Sequence, residues 1–172
     1  MRKFAIFSSV LLCIYLDSIF FDRINLYGIR PDCMLALIVV FGILMGSLPA
    51  AVIGTAAGLV TDIFFGESVG YNAALFLILG MAAGFFYRKY YADNLIIPAL
   101  TAGLAALSKE LVNAGIVFLS GIKFSFTVMF LRYILPSSLM TAVLCIIAIP
   151  VLKPVLSGQY KKTERNFFRL RK

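Results

Sequence analysis

The 172-residue chain has no histidine and no tryptophan, only three cysteines, and only eight acidic residues. Without histidine, the commonest metal ligand and general base is missing, and no Ser–His or Cys–His nucleophile can be assembled. Cys13, Cys33 and Cys145 stand alone in or beside apolar runs, without metal-ligand spacing, and read as small apolar fillers. The acids are too few and too scattered to hold a metal pair. No glycine-rich loop precedes a basic residue in the P-loop manner. Lacking tryptophan, the chain has only tyrosine and phenylalanine rings to stack on a ligand. These absences argue against catalysis and against a cofactor. Charged residues make up only 14% of the chain, against about 25% for an average soluble domain.

What is present is apolar: 62% hydrophobic residues and a mean hydropathy of +0.98. The class is an all-α, polytopic integral membrane protein. A spanning helix needs about 20 largely apolar residues, so this length allows six short helices and no separate soluble domain. The expected segments are Phe4–Phe21, Pro31–Leu48, Ala50–Phe65, Asn72–Phe86, Leu95–Leu119 and Thr127–Leu152. Together they form one transmembrane domain, residues 1–152, followed by a basic tail, residues 153–172. Proline suits a helix start at Pro31 and Pro49. Gly46-Ser47-Leu48-Pro49 reads as a turn, and Pro136 is expected to bend the last helix. The second and third segments are shorter than a full span; they tilt little, thin the bilayer locally, or form a partly re-entrant hairpin packed inside protein. Met1-Arg2-Lys3 before an apolar run resembles a signal peptide, but no small-x-small site follows, and an uncleaved first helix is expected.

The net charge of +8 would suggest nucleic acid in a soluble protein. Here the basic residues flank the apolar segments, as the positive-inside bias requires, and nucleic-acid binding is not expected. With both termini in the cytoplasm, eleven basic residues fall inside, including Arg2, Lys3, Arg88 and Lys89, and four fall outside, Arg23, Arg30, Lys123 and Arg132. The tail, with seven basic residues and one acid, is expected to lie on anionic membrane lipid.

Several constellations sit inside the apolar segments. Gly42/Gly46, Gly54/Gly58 and Gly80/Gly84 have G-x-x-x-G spacing, which opens a groove on one helix face. Each groove either packs against a neighbouring helix of the same chain or receives a partner's helix. Asp62 continues the Gly54/Gly58 row. It is a polar lock, an ion or ligand contact, or a carboxylate solvated at the outer interface. Arg30 and Asp32 flank the entry to the second helix; Asp32 can favour the positive helix N-terminus, and contact with an extracytoplasmic partner is the alternative. Lys109 and Glu110 lie mid-helix, about 100° apart, so each needs partners elsewhere. Asn113 is in local reach of both, and Asp62 or Asp17 can pair with Lys109 across helices. The two charges either join a buried network, mark a helix break, or serve function.

Arg30-Pro31-Asp32, the apolar run after it, Gly54-x-x-x-Gly58-x-x-x-Asp62, the Gly66-Glu67-Ser68-x-Gly70-x-Asn72 turn and Gly80-x-x-x-Gly84, in this order and spacing, resemble the MreD family of bacterial rod shape-determining membrane proteins. The resemblance covers most of the chain and is loosest after Lys89. It implies a non-enzymatic scaffold of the cell-elongation complex in the bacterial cytoplasmic membrane. The implied partners are MreC and, through it, MreB, RodA and a class B penicillin-binding protein in peptidoglycan synthesis. It also implies a fold similar to the substrate-binding subunits of energy-coupling-factor transporters. Relatives often carry basic residues in the turn where Gly46–Pro49 is neutral, so the orientation leans on the termini and Arg88-Lys89. The rival expectation is a vitamin-binding transporter subunit. Its usual alanine-rich helix 1 is represented here only by Ala5, Ser9 and Cys13.

Overall fold

The computed structural model describes residues 2–17, 31–65, 69–86, 95–121 and 126–156. Arg30, the Gly66–Ser68 part of the turn, Arg88-Lys89 and the tail beyond Leu156 fall outside the described residues. All regular structure among the described residues is helical. The helices are α1 (Arg2–Tyr15), α2 (Cys33–Met45), α3 (Ser47–Phe65), α4 (Tyr71–Gly84), α5 (Ile96–Leu119) and α6. The last combines an α-helical turn Phe126–Met129, a π-helical stretch Phe130–Ile134 and an α-helical stretch Leu135–Leu156.

Helix α2 is the centre of the molecule. Its sequence CMLALIVVFGILM has no polar side chain able to face water, and a helix apolar all round has to be covered on every side. Every residue from Cys33 to Ile43 is buried, and α2 touches each of the other helices. Its 13 residues give about 20 Å of helix, short of the roughly 30 Å hydrocarbon core. Protein, not lipid, surrounds it, which resolves the shortness of this segment. Helix α3 is longer than the sequence suggested. It starts directly after Gly46, so Pro49 falls inside its first turn, where no intrahelical N–H is needed. The expected four-residue turn contracts to Gly46 alone, at φ 96°, whose N–H donates to the Gly42 carbonyl at 2.9 Å. Only glycine takes that backbone conformation freely. Among the described residues, three helices are long and apolar enough to cross a membrane: Ser47–Phe64, Ile96–Leu119 and Phe126–Pro154.

The glycine rows join α3 to α4, the most extensively contacting pair of helices. A Cβ on Gly54 would lie 2.8 Å from the Phe76 carbonyl oxygen, and one on Gly58 would lie 2.5 Å from the Ala73 Cα. From the other side, a Cβ on Gly80 would meet the Ala50 carbonyl at 3.1 Å, and Gly84 is pressed on the Ser47 backbone. Gly42 faces the Ala83 Cβ, 2.8 Å from where its own would be. Gly54, Gly58, Gly80, Gly84 and Gly42 are therefore covered by this chain's own helices, Gly46 is the turn residue and lies on no helix face, and a partner helix has no access to this seam. In the seam the close neighbours are mostly backbone, which cannot step aside. Gly58→Ala is expected to destabilise the bundle by about 1–3 kcal/mol through overpacking. Gly115→Ala, with nothing within 4 Å of its Cβ, should be neutral or stabilising by up to about 1 kcal/mol. Thermal unfolding of the two variants in detergent checks the contrast; equal midpoints would refute the close approach.

Pro136 acts one turn earlier than its own position. Proline cannot donate to the carbonyl four residues back and its ring crowds that carbonyl, here Arg132. The helix loosens into the π-helical stretch Phe130–Ile134, where the Leu135 N–H reaches five residues back to Phe130. Helix α6 then continues past Leu152 to Leu156, so the fold takes in the first residues of the segment read as tail.

Candidate functional site

Asp17, Asp32, Asp62, Asn72 and Lys109 gather where α1 and α3 finish and α2 and α4 begin. A helix N-terminus leaves unpaired N–H groups and a partial positive charge. In an apolar setting these have to be met by protein acceptors. The chain solves this twice with the same device, a carboxylate at the end of one helix placed on the start of the next.

Asp17, just past α1, accepts hydrogen bonds from the Cys33 and Met34 N–H groups, both at 2.9 Å. Asp32, the residue before α2, adds its own cap, accepting from the Leu35 N–H at 2.7 Å. Three successive donors at the start of α2 are thus satisfied by two carboxylates. Asp62, near the end of α3, does the same for α4. It accepts from the N–H groups of Gly70 at 2.9 Å, Asn72 at 3.2 Å and Ala73 at 3.2 Å, and from the Asn72 side-chain amide at 2.8 Å. Asp62 is only 1% exposed, so it is a polar lock, and the solvated-carboxylate alternative does not hold. Asn72 serves the same lock.

Lys109 forms an ion pair with Asp32. The cross-helix partner is thus neither Asp62 nor Asp17, both of which are engaged with helix N-termini. The ammonium also lies 4.7 Å from the centroid of the Phe76 ring, a cation–π distance. Helix α5 is continuous through Lys109 and Glu110, which excludes the helix break. Half-buried Glu110 stands beside this cluster. Asn113 accepts a hydrogen bond from the Tyr71 hydroxyl and ties α5 to the start of α4.

Thr141 completes the connection to α6. Its hydroxyl accepts from the Asp32 N–H at 3.1 Å and donates to the Ser137 carbonyl at 2.9 Å. Among the described residues no buried side-chain nitrogen or oxygen lacks a partner. The sequence had marked Asp32, Asp62, Asn72, Lys109 and Glu110. It had not marked Phe76, Thr141 or Tyr71, and had placed Asp17 only as an alternative partner for Lys109. The available signal was a lone polar residue in an apolar run, as at Thr141, and an acid closing a helix before a second helix opens, as at Asp17. Cys145 donates its thiol to the Pro98 carbonyl at 3.5 Å inside the core, in keeping with its reading as a filler.

Chemically, this end of the bundle is a set of fixed charges, each matched to a helix terminus or to a counter-charge. No group of three or more metal-ligating side chains occurs among the described residues. No curated protein and no solved structure matches the chain, so the expected likeness to transporter subunits gains no support. The family model described as "rod shape-determining protein MreD" matches residues 1–157. That family is a shape-determining one and not a known enzyme family. With its apolar spanning helices and a match over nearly its whole length, the chain is a membrane protein that belongs to the MreD family of rod shape-determining proteins.

Proposed function

We propose that this chain is a non-enzymatic scaffold of the bacterial cell-elongation complex, seated in the cytoplasmic membrane with six passes and both termini inside. The observation that carries this reading is the extent of the family match, residues 1–157. The geometry supports a scaffold: the acids and the lysine of the polar end hold α2 and α4 in place. The orientation rests on the excess of basic residues assigned to the inner side, and it turns the carboxylate-capped end outward. MreC is the direct partner, with MreB, RodA and a class B penicillin-binding protein reached through it. The basic tail rests on anionic lipid.

Because the glycine seam is filled from within, MreC docks on an outward face. Helix α3 offers one opposite its glycines, where Leu48, Val52, Ile63 and Phe64 are exposed. Affinity purification of the tagged chain from membranes is expected to recover MreC. Gly58→Leu should lose MreC together with thermal stability, because it breaks the bundle. Recovery of MreC at wild-type levels with Gly58→Leu would show that the packed seam is not needed, and failure to recover MreC with the wild-type chain would remove it as direct partner.

A further inference from the structure

Helix α1 is held to the bundle differently from the other five helices. Arg2–Tyr15 contains no glycine to admit a neighbour's backbone as the α3–α4 seam does. One stripe at helical spacing, Ile6, Val10, Cys13 and Ile14, packs on the core. None of the described side chains of α1 is fully buried, whereas α2 beside it is buried from Cys33 to Ile43. Contact between α1 and α6 is slight, and an apolar slot of about 470 Å³ separates the two helices above α2 at Ala36 and Leu37.

The two ends of α1 are not equally fixed. At one end Asp17 accepts from the Cys33 and Met34 N–H groups and so joins the finish of α1 to the start of α2. A carboxylate on a helix N-terminus is a charge-assisted, directional tie. Among the described side chains, Asp17 makes the only hydrogen bonds from α1 to another helix; the Ser9 hydroxyl donates within α1, to the Ile6 carbonyl. At this same end the winding changes from α to π at Leu16 and Asp17, a place where helices bend. At the other end Phe4 is 77% exposed, and the slot runs beneath α1 as far as this residue.

We propose that α1 is a hinged strap: pinned at Asp17, it swings at its Phe4 end and so opens and closes the membrane's access to α2 at Ala36 and Leu37. Opening costs least where few apolar groups are buried and one tie holds the element. A tilt of about 20° about Asp17 carries Phe4, thirteen residues or about 20 Å away, by about 7 Å. The core does not follow, because α3 and α4 meet backbone to backbone and α2 is packed among the other helices. The hinge is a property of the bundle and stands whether or not the scaffold reading does.

The test uses the full chain in lipid nanodiscs, with its three cysteines replaced by alanine and spin labels attached in pairs at exposed positions. Leu104→Cys on α5 carries the common reference label. Distances from it to Phe7→Cys and Tyr15→Cys on α1 and, as a control, to Ile78→Cys on α4 are measured by double electron–electron resonance. The control distribution is expected to be narrow and that of Tyr15 nearly as narrow, because both positions are pinned. That of Phe7 should be about twofold wider or split into two populations, as a swing about Asp17 requires. Asp17→Ala should unpin the strap and widen the Tyr15 distribution about twofold. Thermal unfolding shows whether Asp17→Ala still folds; if it does not, the comparison of Phe7 with Tyr15 in the chain that keeps Asp17 decides the matter. Equal widths at Phe7 and Tyr15, narrow or broad, would overturn the proposal, as would an unchanged Tyr15 distribution in a folded Asp17→Ala variant.

Discussion

Asp62→Ala is expected to be among the most damaging single substitutions in the chain. It removes the acceptor of four hydrogen bonds at the start of α4. Hydrogen bonds to a charged group contribute about 1.5–3 kcal/mol each, and a buried donor left without a partner costs about 1–3 kcal/mol. Water cannot easily replace the carboxylate, because Asp62 is buried beneath the α3–α4 seam. The expected loss is at least about 3 kcal/mol, in the range reserved for broken buried networks. Asp62→Asn keeps one oxygen and the size of the side chain, and should retain a substantial part of the stability. Thermal unfolding in detergent and the amount of chain inserted in membranes measure both. If Asp62→Ala unfolds at the wild-type midpoint, the lock at α4 contributes nothing.

The second large effect concerns Lys109 and Asp32. Lys109→Met removes one member of a mostly buried ion pair and leaves the Asp32 carboxylate without its counter-charge. Breaking such a pair from one side costs about 3–5 kcal/mol, whereas replacing both members is often close to neutral. Asparagine is as good an N-cap as aspartate, so Asp32→Asn removes the charge and preserves the cap on Leu35. The double variant Asp32→Asn/Lys109→Met is therefore expected to be more stable than Lys109→Met alone, with a coupling of about 0.5–3 kcal/mol. A double-mutant cycle by thermal unfolding checks this. Cell shape gives a second readout. If the pair is structural, the double variant also restores rod growth; if stability returns while rod growth does not, the pair itself serves the complex.

Most of the fold was legible in the sequence because its determinants are local. The apolar runs and the punctuation by Gly46, Gly70 and Pro31 place the α4 start at Tyr71, one residue from the expected Asn72, and the α5 start at Ile96, one from the expected Leu95. The spacing of Gly54, Gly58, Gly80 and Gly84 told which face is grooved. It did not tell what fills the groove, since that depends on how α3 and α4 cross. Pairing by i and i+4 arithmetic brought Asn113 into the cluster. It could not find the partner of Lys109, which lies 77 residues away and is selected by the packing of α2 on α5. The same arithmetic missed the role of Asp17, because a carboxylate capping the next helix obeys no fixed spacing: Asp17 reaches 16 residues ahead to the Cys33 N–H, and Asp62 only eight to that of Gly70. Arg30, marked in the sequence beside Asp32, lies outside the described residues and adds nothing to this geometry.

The two carboxylate locks, Asp17 on α2 and Asp62 on α4, have a common logic. Helices α2 and α4, 13 and 14 residues long, are each shorter than the roughly 30 Å hydrocarbon core. A carboxylate delivered by the preceding helix satisfies their N-terminal N–H groups in place and leaves the outward helix faces free of charge. Depletion of the chain in a rod-shaped bacterial host that encodes it tests the central claim most directly. The expected result is that cells round up from rods to spheres as the chain is lost, and recover on re-expression. Cells that stay rod-shaped while losing uptake of a vitamin would contradict the scaffold account and favour a transporter subunit.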